Sequence, residues 1–378
     1  MIPFNRPYTT GREFDYIRQA ISSGHISGDG AFSRKCQSLL EEITGCSRAL
    51  LTTSCTDALE MTALLLNIRP GDEVIVPSFT FVSGANAYAL RGAKIVFADI
   101  RRDTLNLDET RLEALITPRT RAIVAVHYAG VACAMESMLA IAAGHSVAVV
   151  EDNAHGLLGR YRGRPLGTFG ALATLSFHET KNVSCGEGGA LLINDPAFVE
   201  RAEILREKGT DRSRFFRGLV DKYTWVDLGS SFLPSDLLAA FLYAQLEARD
   251  SIQAARRRVW TVYRDRLCDW AASHGVSLPY VPDDCEQPYH MFYLILPTAE
   301  SRDALIAHLK TRGVMAVFHY VPLHLSAMGL QAGGYPGQCP VTEDVSGRLL
   351  RLPFFNGLDE SDQARVVEAV LEFSPEPR

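Results

Sequence analysis

Short apolar runs alternate with helical patterns along the first two-thirds of the chain. Seven runs have the length and composition of strands that are covered on both faces; they span 48–53, 72–78, 93–100, 121–128, 146–152, 172–178 and 189–195. Between several of them, apolar residues recur at helical spacing, over 56–68, 135–145 and 196–209. Strands that alternate with helices predict an α/β fold built on a mostly parallel sheet.

The pattern changes near residue 245. The later segments are a helix over 251–275, a strand over 290–297, a helix over 301–313, a strand over 315–323 and a closing helix over 359–373. This order is typical of a smaller α+β domain, so we predict a large domain over 1–248 and a small one over 249–378. Segment 324–342 is rich in glycine and contains two prolines, and it is predicted to be a mobile loop.

Composition narrows the class of protein. The chain has 378 residues, of which 47% are hydrophobic and 22% charged, values that are ordinary for a globular enzyme. The net charge of -6 argues against general binding to nucleic acid. No apolar run approaches the ~18–20 residues that span a bilayer, so no membrane partner is expected.

The eight cysteines include no C-x-x-C pair. In a chain of this length we expect them to be reduced thiols, with neither a disulfide framework nor a metal site. The first residues lack the apolar segment of a signal peptide, which also favours a cytoplasmic protein.

A small polar turn joins the first predicted strand to a helix, in TTSCTDALEMTALLL (52–66). Free backbone amides and the helix dipole at such a junction favour a phosphate group. Ser54, Cys55 and Thr56 would contact it through their hydroxyls and main-chain amides. The alternative is that Thr56 only caps the helix.

An acidic residue ends a very apolar predicted strand, in VAVVEDNAHG (147–156). Asp152 is predicted to lie at the carboxyl edge of the sheet, where ligands of open α/β folds bind. A protonated ring nitrogen would be a suitable partner, although Asp152 could instead cap the next segment. His155 follows three residues later and is a candidate for the same ligand or for an internal hydrogen bond.

Lys181 follows a later strand and precedes the glycines of GEGG. Considered alone, Lys181 would be interpreted as an ordinary lysine at the point where a strand leads into a loop. Together with a phosphate-binding turn and Asp152, it completes the set that holds pyridoxal 5'-phosphate, with the lysine amine as the covalent attachment point. Phe81, after another strand, would stack on the ring or pack in the core.

Four motifs carry a resemblance to a known family: PGDEVIVPSFTFVS (70–83), VVEDNAHG (149–156), SFHETKN (176–182) and GEGGALL (186–192). Across nearly its whole length the chain resembles the fold-type I aminotransferases of the DegT/StrS family. HYAGVAC (127–133) and MAVFHYVPLH (315–324) are similar to its dTDP-4-amino-4,6-dideoxyhexose transaminases. The resemblance implies a mixed, mostly parallel seven-stranded sheet flanked by helices, with a smaller C-terminal α+β domain.

The resemblance also assigns roles to residues. Lys181 matches the lysine that binds the cofactor, and Asp152 matches the aspartate at the pyridine nitrogen. The other matching cofactor contacts are His155 near the 3'-hydroxyl, Ser176 at the phosphate, Thr56 and Asp57 in the phosphate-binding turn, and Phe81 on the ring. One position departs from the family: GSSFLPSD (229–236) places Ser231 where many members have an asparagine that reaches the phosphate of the neighbouring subunit.

The same resemblance implies the reaction. An amino group would pass from L-glutamate to C4 of dTDP-4-keto-6-deoxy-D-glucose, with pyridoxamine 5'-phosphate as the intermediate form of the cofactor, in a homodimer whose active sites lie at the subunit interface. The segment FHYVPLH (318–324) would bind the sugar nucleotide through His319, Tyr320 or His324. Strand alternation predicts that His319 and Tyr320 point to opposite faces; His324 lies past the strand, in a loop.

Several alternatives remain open at this level. The acceptor could be another nucleotide-linked keto-sugar, 3-keto or UDP-linked, and the product could have the galacto or the gluco configuration at C4. A related sugar dehydratase carries histidine in place of the lysine, which Lys181 disfavours. A non-enzymatic regulator on this fold would lack Lys181 or Asp152. An amino-acid aminotransferase would carry a C-terminal arginine for the α-carboxylate, and Arg351 is the nearest candidate.

Overall fold

The computed structural model describes residues 1–375. The strands are β1 (Arg48–Thr52), β2 (Glu73–Pro77), β3 (Lys94–Ala98), β4 (Thr120–Val126), β5 (Ala148–Asp152), β6 (Arg160–Tyr161), β7 (Arg164–Pro165), β8 (Leu172–Ser176), β9 (Gly189–Ile193), β10 (Cys285–Glu286), β11 (Tyr293–Ile295), β12 (Val317–Phe318) and β13 (Leu349–Arg351). The helices are α1 (Glu13–Ser22), α2 (Ala31–Thr44), α3 (Cys55–Leu65), α4 (Ser83–Ala89), α5 (Met135–Gly144), α6 (Val199–Arg206), α7 (Arg212–Phe216), α8 (Asp236–Glu247), α9 (Arg249–Ser273), α10 (Ala299–Thr311), α11 (Ala327–Gln331), α12 (Pro340–Arg348) and α13 (Glu360–Leu371).

The seven predicted strands of the first two-thirds form one sheet, in the order β1-β9-β8-β5-β4-β2-β3. Strand β9 is antiparallel to both of its neighbours, and the remaining pairs are parallel. The predicted mixed, mostly parallel seven-stranded fold is therefore confirmed. Because every strand except β9 runs in one direction, six carboxyl ends meet at the same edge of the sheet.

A second unit follows the long helix α9. Strands β11, β13 and β12 form a small antiparallel sheet, and side chains of α9, α10 and α13 share one hydrophobic cluster with it. Ile2 is part of this cluster and forms a parallel bridge with Val314. The domain boundary at 248/249 stays a prediction: α9 begins at Arg249, and Ile2 packs with the C-terminal unit. The last three residues of the predicted small domain, 376–378, lie outside the described range.

Two segments differ from their sequence-based predictions. The strand predicted over 315–323 is only Val317–Phe318, and the loop predicted over 324–342 contains α11 and the start of α12. In addition, helices α1, α2, α4, α7 and α8 form where no helix is predicted. None of the helices within residues 1–375 has the combined length and apolar character needed to cross a membrane.

The carboxylate of Glu151 ties the centre of the sheet to the loop that precedes β8. Its Oε1 accepts hydrogen bonds from the amides of Phe169 (2.6 Å) and Gly170 (2.8 Å). Its Oε2 accepts from the amide of Gly167 (2.8 Å) and pairs with His127 Nε2 (2.9 Å). The side chains of Glu151 and His127 are fully buried. This network fixes the strand end that carries Asp152.

Replacing Glu151 by glutamine should lower the free energy of unfolding by about 2–4 kcal/mol, because the amide nitrogen would face buried N–H donors that now have a carboxylate acceptor. Urea denaturation of the cofactor-free protein measures the change. The matched control is Glu136→Gln, since the side chain of Glu136 is 59% exposed and pairs only with another exposed residue, Arg162. If both variants unfolded at the same urea concentration, the network would contribute little to the free energy of unfolding.

Candidate active site

A cavity of about 460 Å³ opens at the carboxyl edge of the large sheet. Its walls come from residues that follow β1, β2, β5 and β8 and from the C-terminal unit. Ten of the thirteen predicted site residues line it: Ser54, Cys55, Thr56, Phe81, Asp152, His155, Ser176, Lys181, His319 and Tyr320. The volume is within the range of ordinary small-molecule sites.

The turn between β1 and α3 presents the start of a helix to the cavity. Ser54 is the N-cap, and its Oγ accepts the amide of Asp57 at 3.0 Å. The first intrahelical bond of this turn is Ala58 N to Ser54 O, so the amides of Cys55 and Thr56 precede it and have no acceptor within the helix. The turn is a suitable site for a phosphate.

Gly189 explains how this turn approaches the sheet so closely. A side chain on Gly189 would place its Cβ 2.4 Å from the backbone of Ser54 and Cys55. Three hydroxyls complete the polar wall: Thr56 Oγ1 lies 2.8 Å from Ser83 Oγ, and Ser176 lies at the end of β8. The glycine that begins β9 is thus a packing requirement of the turn.

Asp152 ends β5 and faces the cavity. One oxygen, Oδ1, accepts the amide of Ala154 at 3.1 Å. Burial raises the pKa of this carboxyl group above its ordinary value. A cation at the other oxygen would reverse that shift and keep the carboxylate ionised.

Lys181 lies in the loop between β8 and β9, which closes on itself through main-chain bonds from Phe177 to Gly188 and from Glu179 to Gly186. Its amine enters the cavity. Burial lowers the pKa of Lys181 to about 8, and the charge of Arg351 acts in the same direction, against the attraction of Cys55 and Asp152. About a tenth of the amine is therefore neutral at pH 7, a far larger fraction than for a lysine of ordinary pKa, and the neutral form is the nucleophile.

Two aromatic side chains line the cavity between these polar groups. Phe81 is 60% exposed, which is unusual for phenylalanine, and its ring lines the cavity. His155 is also part of the wall; its Nδ1 is buried and has no hydrogen-bond partner in residues 1–375. Burial lowers the pKa of His155 well below its usual range, so the ring is neutral. A flat ring with a polar edge would satisfy both side chains.

His319 and Tyr320 both line the cavity, which contradicts the expectation that they point to opposite faces. Strand β12 ends at Phe318, so alternation no longer applies. Their ring centroids are 3.4 Å apart, and His319 Nδ1 lies 3.0 Å from the hydroxyl of Tyr128. The two side chains therefore belong to one cluster on the wall formed by the C-terminal unit.

Three predicted residues lie outside the cavity. His324 is fully buried, and its ring nitrogens are occupied by Ser78 Oγ (2.6 Å) and Glu343 Oε1 (3.0 Å). Its place in a short helical turn explains the difference from the predicted exposed loop. Asp57 accepts a hydrogen bond from Thr53 within the turn. Ser231 is exposed and does not line the cavity of its own chain.

Sequence reasoning assigned no contact to several side chains of the wall. His290 begins the strand predicted over 290–297 and Phe4 lies near the start of the sequence, and neither is predicted to contact a ligand. Arg351 was considered only as part of an alternative. Its guanidinium carbon lies 4.6 Å from the centroid of the Phe4 ring, and its Nε is buried with no partner among the described residues. Such a cation is suited to binding an anion from the ligand.

The cavity fits pyridoxal phosphate at each of its functional groups. The helix start and the hydroxyls provide a phosphate site, Asp152 a partner for a protonated ring nitrogen, and Lys181 an amine with a lowered pKa. The unpartnered Nδ1 of His155 indicates a further polar group of the ligand. Within residues 1–375, no group of three or more His, Cys, Asp or Glu side chains is arranged to hold a metal ion.

The structure is similar to several solved aminotransferases. TlmJ from Streptoalloteichus hindustanus is 29% identical, with a TM-score of 0.89, and 98% of each chain is covered. DesV of S. venezuelae, solved with a ketimine intermediate, is 31% identical, with a TM-score of 0.88 and coverage of 97% of this chain and 95% of DesV. Spr1654 from Streptococcus pneumoniae, in its PMP form, is 24% identical, with a TM-score of 0.91 and 98% of each chain covered, and a PLP form is also known.

The family comparison agrees with this fold and cavity. The model of the DegT/DnrJ/EryC1/StrS aminotransferase family matches residues 7–371, which include every residue of the site except Phe4 and Asn5. We conclude that the chain belongs to the DegT/DnrJ/EryC1/StrS aminotransferase family, whose cofactor is pyridoxal 5'-phosphate.

Proposed function

We propose that this protein transfers an amino group from L-glutamate to C4 of dTDP-4-keto-6-deoxy-D-glucose, giving 2-oxoglutarate and a dTDP-4-amino-4,6-dideoxy-D-hexose. The observation that carries the reaction type is the meeting of Lys181, Asp152 and the start of α3 in one cavity. The sugar nucleotide is proposed from the resemblance of 127–133 and 315–324 to transaminases of this substrate.

Bound pyridoxal phosphate supplies an electron-withdrawing ring that stabilises negative charge on the substrate carbon. The protein residues do the rest of the chemistry. Asp152 would hold a proton on the ring nitrogen, and the amides of Cys55 and Thr56 would bind the phosphate. Lys181 Nζ would take the proton from Cα of glutamate and, in the second half-reaction, deliver a proton to C4 of the sugar.

The glutamate donor is supported by Arg351. This arginine is largely buried, and burial lowers its pKa; its Nε has no partner in the described chain. An unpaired buried cation is unfavourable unless a ligand supplies the anion. A carboxylate of the donor would do so. The sugar nucleotide has its own anion in the diphosphate, but the 4-keto sugar ring, the part that reacts, carries no charge.

A homodimer is supported by the exposed apolar surface around 212–228. Phe216 is 71% exposed and Trp225 is 75% exposed, and several neighbours are similarly accessible. Apolar patches of this kind mark interfaces. Ser231 follows this segment and is exposed, so in a dimer its hydroxyl would be available to the phosphate of the neighbouring subunit.

A cytoplasmic location is proposed from the cysteines. All eight are unpaired, and five of them are buried in the structure. Thiols of this kind are ordinary in a reducing compartment.

The reaction is tested by incubating the holoenzyme with dTDP-4-keto-6-deoxy-D-glucose and L-glutamate and recording NMR spectra of the products. We expect 2-oxoglutarate and a sugar with nitrogen at C4, and the proton couplings of H4 distinguish the galacto from the gluco product. Turnover only with a 3-keto or UDP-linked sugar would leave the reaction type intact and overturn the substrate. No turnover with any keto-sugar would overturn the proposed function.

The pKa of Lys181 predicts how fast the cofactor attaches. The neutral amine becomes available as pH rises through about 8, so the attachment rate at fixed pyridoxal phosphate should rise about fivefold from pH 7 to 8 and level off near pH 9. Stopped-flow absorbance of the cofactor-free protein measures it. The control is Nα-acetyl-lysine, whose side-chain amine is free. Its rate of reaction with pyridoxal phosphate should keep rising through about pH 10. A midpoint near 10 in the protein, or unchanged attachment in Lys181→Ala, would contradict the assignment.

Arg351→Gln should separate the two half-reactions. Losing a charge-assisted bond to the donor carboxylate costs about 1.5–3 kcal/mol, which corresponds to a roughly 10- to 150-fold higher KM for glutamate. The half-reaction of the pyridoxamine form with the keto-sugar should change by less than about threefold. Single-turnover kinetics measure both, with Arg121→Gln as a control, because Arg121 is exposed and lies outside the cavity. Equal losses of rate in both half-reactions would show that Arg351 does not bind the donor carboxylate specifically.

A further inference from the structure

The turn at 288–290 is held in one conformation by buried hydrogen bonds. Asn182 Nδ2 donates to the carbonyl oxygen of Pro288 at 2.6 Å. Arg256 donates to the carbonyl oxygens of Tyr289 and His290 and is itself buried. Tyr289 has φ of 53°, a left-handed conformation that is costly for a residue with a bulky side chain. Backbone of this kind persists only where its surroundings fix it, and here it directs the ring of His290 into the cavity.

The hydrogen bonds also define the tautomer of His290. Because the amide nitrogen of Asn182 donates to Pro288, the amide oxygen faces His290 Nδ1 at 2.8 Å and must accept from it. The hydrogen therefore sits on Nδ1, and Nε2 carries a lone pair. Burial lowers the pKa of His290 well below its usual value, and the neighbouring charges of Lys181, Arg256 and Arg351 add to that shift, so the ring is neutral.

The ring of His290 stacks on the ring of His155. Their centroids are 4.2 Å apart and their planes differ by 20°. Since the Nδ1 atom of His155 is buried without a partner, no hydrogen bond from that atom sets the plane of this ring. The plane is set by packing, against His290 on one face and by an edge contact with Tyr128, whose centroid is 6.1 Å away.

We propose that His290 is a positioning residue of the transaminase. The ring of His290 fixes the plane of the His155 ring in the cofactor site. The hydrogen bond from His290 to Asn182 connects this pair of rings to the loop that carries Lys181, because Lys181 immediately precedes Asn182. The proposal rests on the cofactor of the proposed function but not on the identity of the sugar. A purely space-filling role would not require a specific tautomer, a strained neighbour and a buried arginine.

Two substitutions separate stacking from space filling. His290→Phe keeps a flat ring against His155, whereas His290→Leu does not. We expect His290→Leu to change the visible circular dichroism of bound pyridoxal phosphate and to weaken its binding roughly 10- to 100-fold. His290→Phe should have a circular dichroism spectrum and a cofactor affinity close to those of the unmodified protein. The control is His308→Leu, because His308 also packs against an aromatic ring, Phe373, but is only half-buried and lies outside the cavity.

A double-mutant cycle tests whether His290 acts through His155. The double variant His155→Leu/His290→Leu should differ from His155→Leu alone by less than about twofold, both in cofactor affinity and in the intensity of the dichroism band. Full additivity would overturn the proposal, as would a His290→Leu variant that is folded and has the parental spectrum and affinity. If His290→Phe loses as much cofactor affinity as His290→Leu does, the role of stacking is overturned. All of these readouts are made without sugar or amino donor, so failure of the proposed substrate does not affect them.

Discussion

The buried carboxylate of Glu151 is the interaction on which the site most depends. It satisfies three main-chain amides of the loop before β8 and one histidine at the end of β4. Because adjacent residues of a strand point to opposite faces, the side chain of Asp152 is directed to the other face, towards the cavity. Strand β5 thus ends in two carboxylates with different roles, one internal and structural, the other available to a ligand.

The same division between structural and chemical groups recurs among the histidines. His127 and His324 have partners on both ring nitrogens and lie outside the cavity. His155 has a buried Nδ1 without a partner, and it lines the wall. The unsatisfied ring nitrogen therefore separates His155 from His127 and His324 better than position in a loop or strand does. A histidine after a strand is not by itself a binding residue.

The large sheet and most of the cavity could be predicted from the sequence, because continuous apolar strands and the polar residues that end them are local features. Helix α2 was missed although its apolar positions, Phe32, Cys36, Leu40 and Ile43, have helical spacing; Gly30, its N-cap, gives no side-chain signal. His290 and Arg351 could not be identified as wall residues, because their direction depends on pairings between distant segments, such as β11 with β13. His324 was misplaced since its burial depends on Glu343, which is distant in sequence.

The bridge between Ile2 and Val314 has a consequence for the order in which the chain acquires its active site. Phe4 and Asn5 line the cavity, and they follow directly from a residue that is fixed only by the C-terminal unit. During synthesis, residues 2–5 leave the ribosome long before residue 314, so they must wait for it to emerge before they reach their final place. Arg351 and Phe354, which complete the wall, emerge later still. All strands of the large sheet precede residue 194, whereas a closed cofactor cavity requires the chain as far as Phe354.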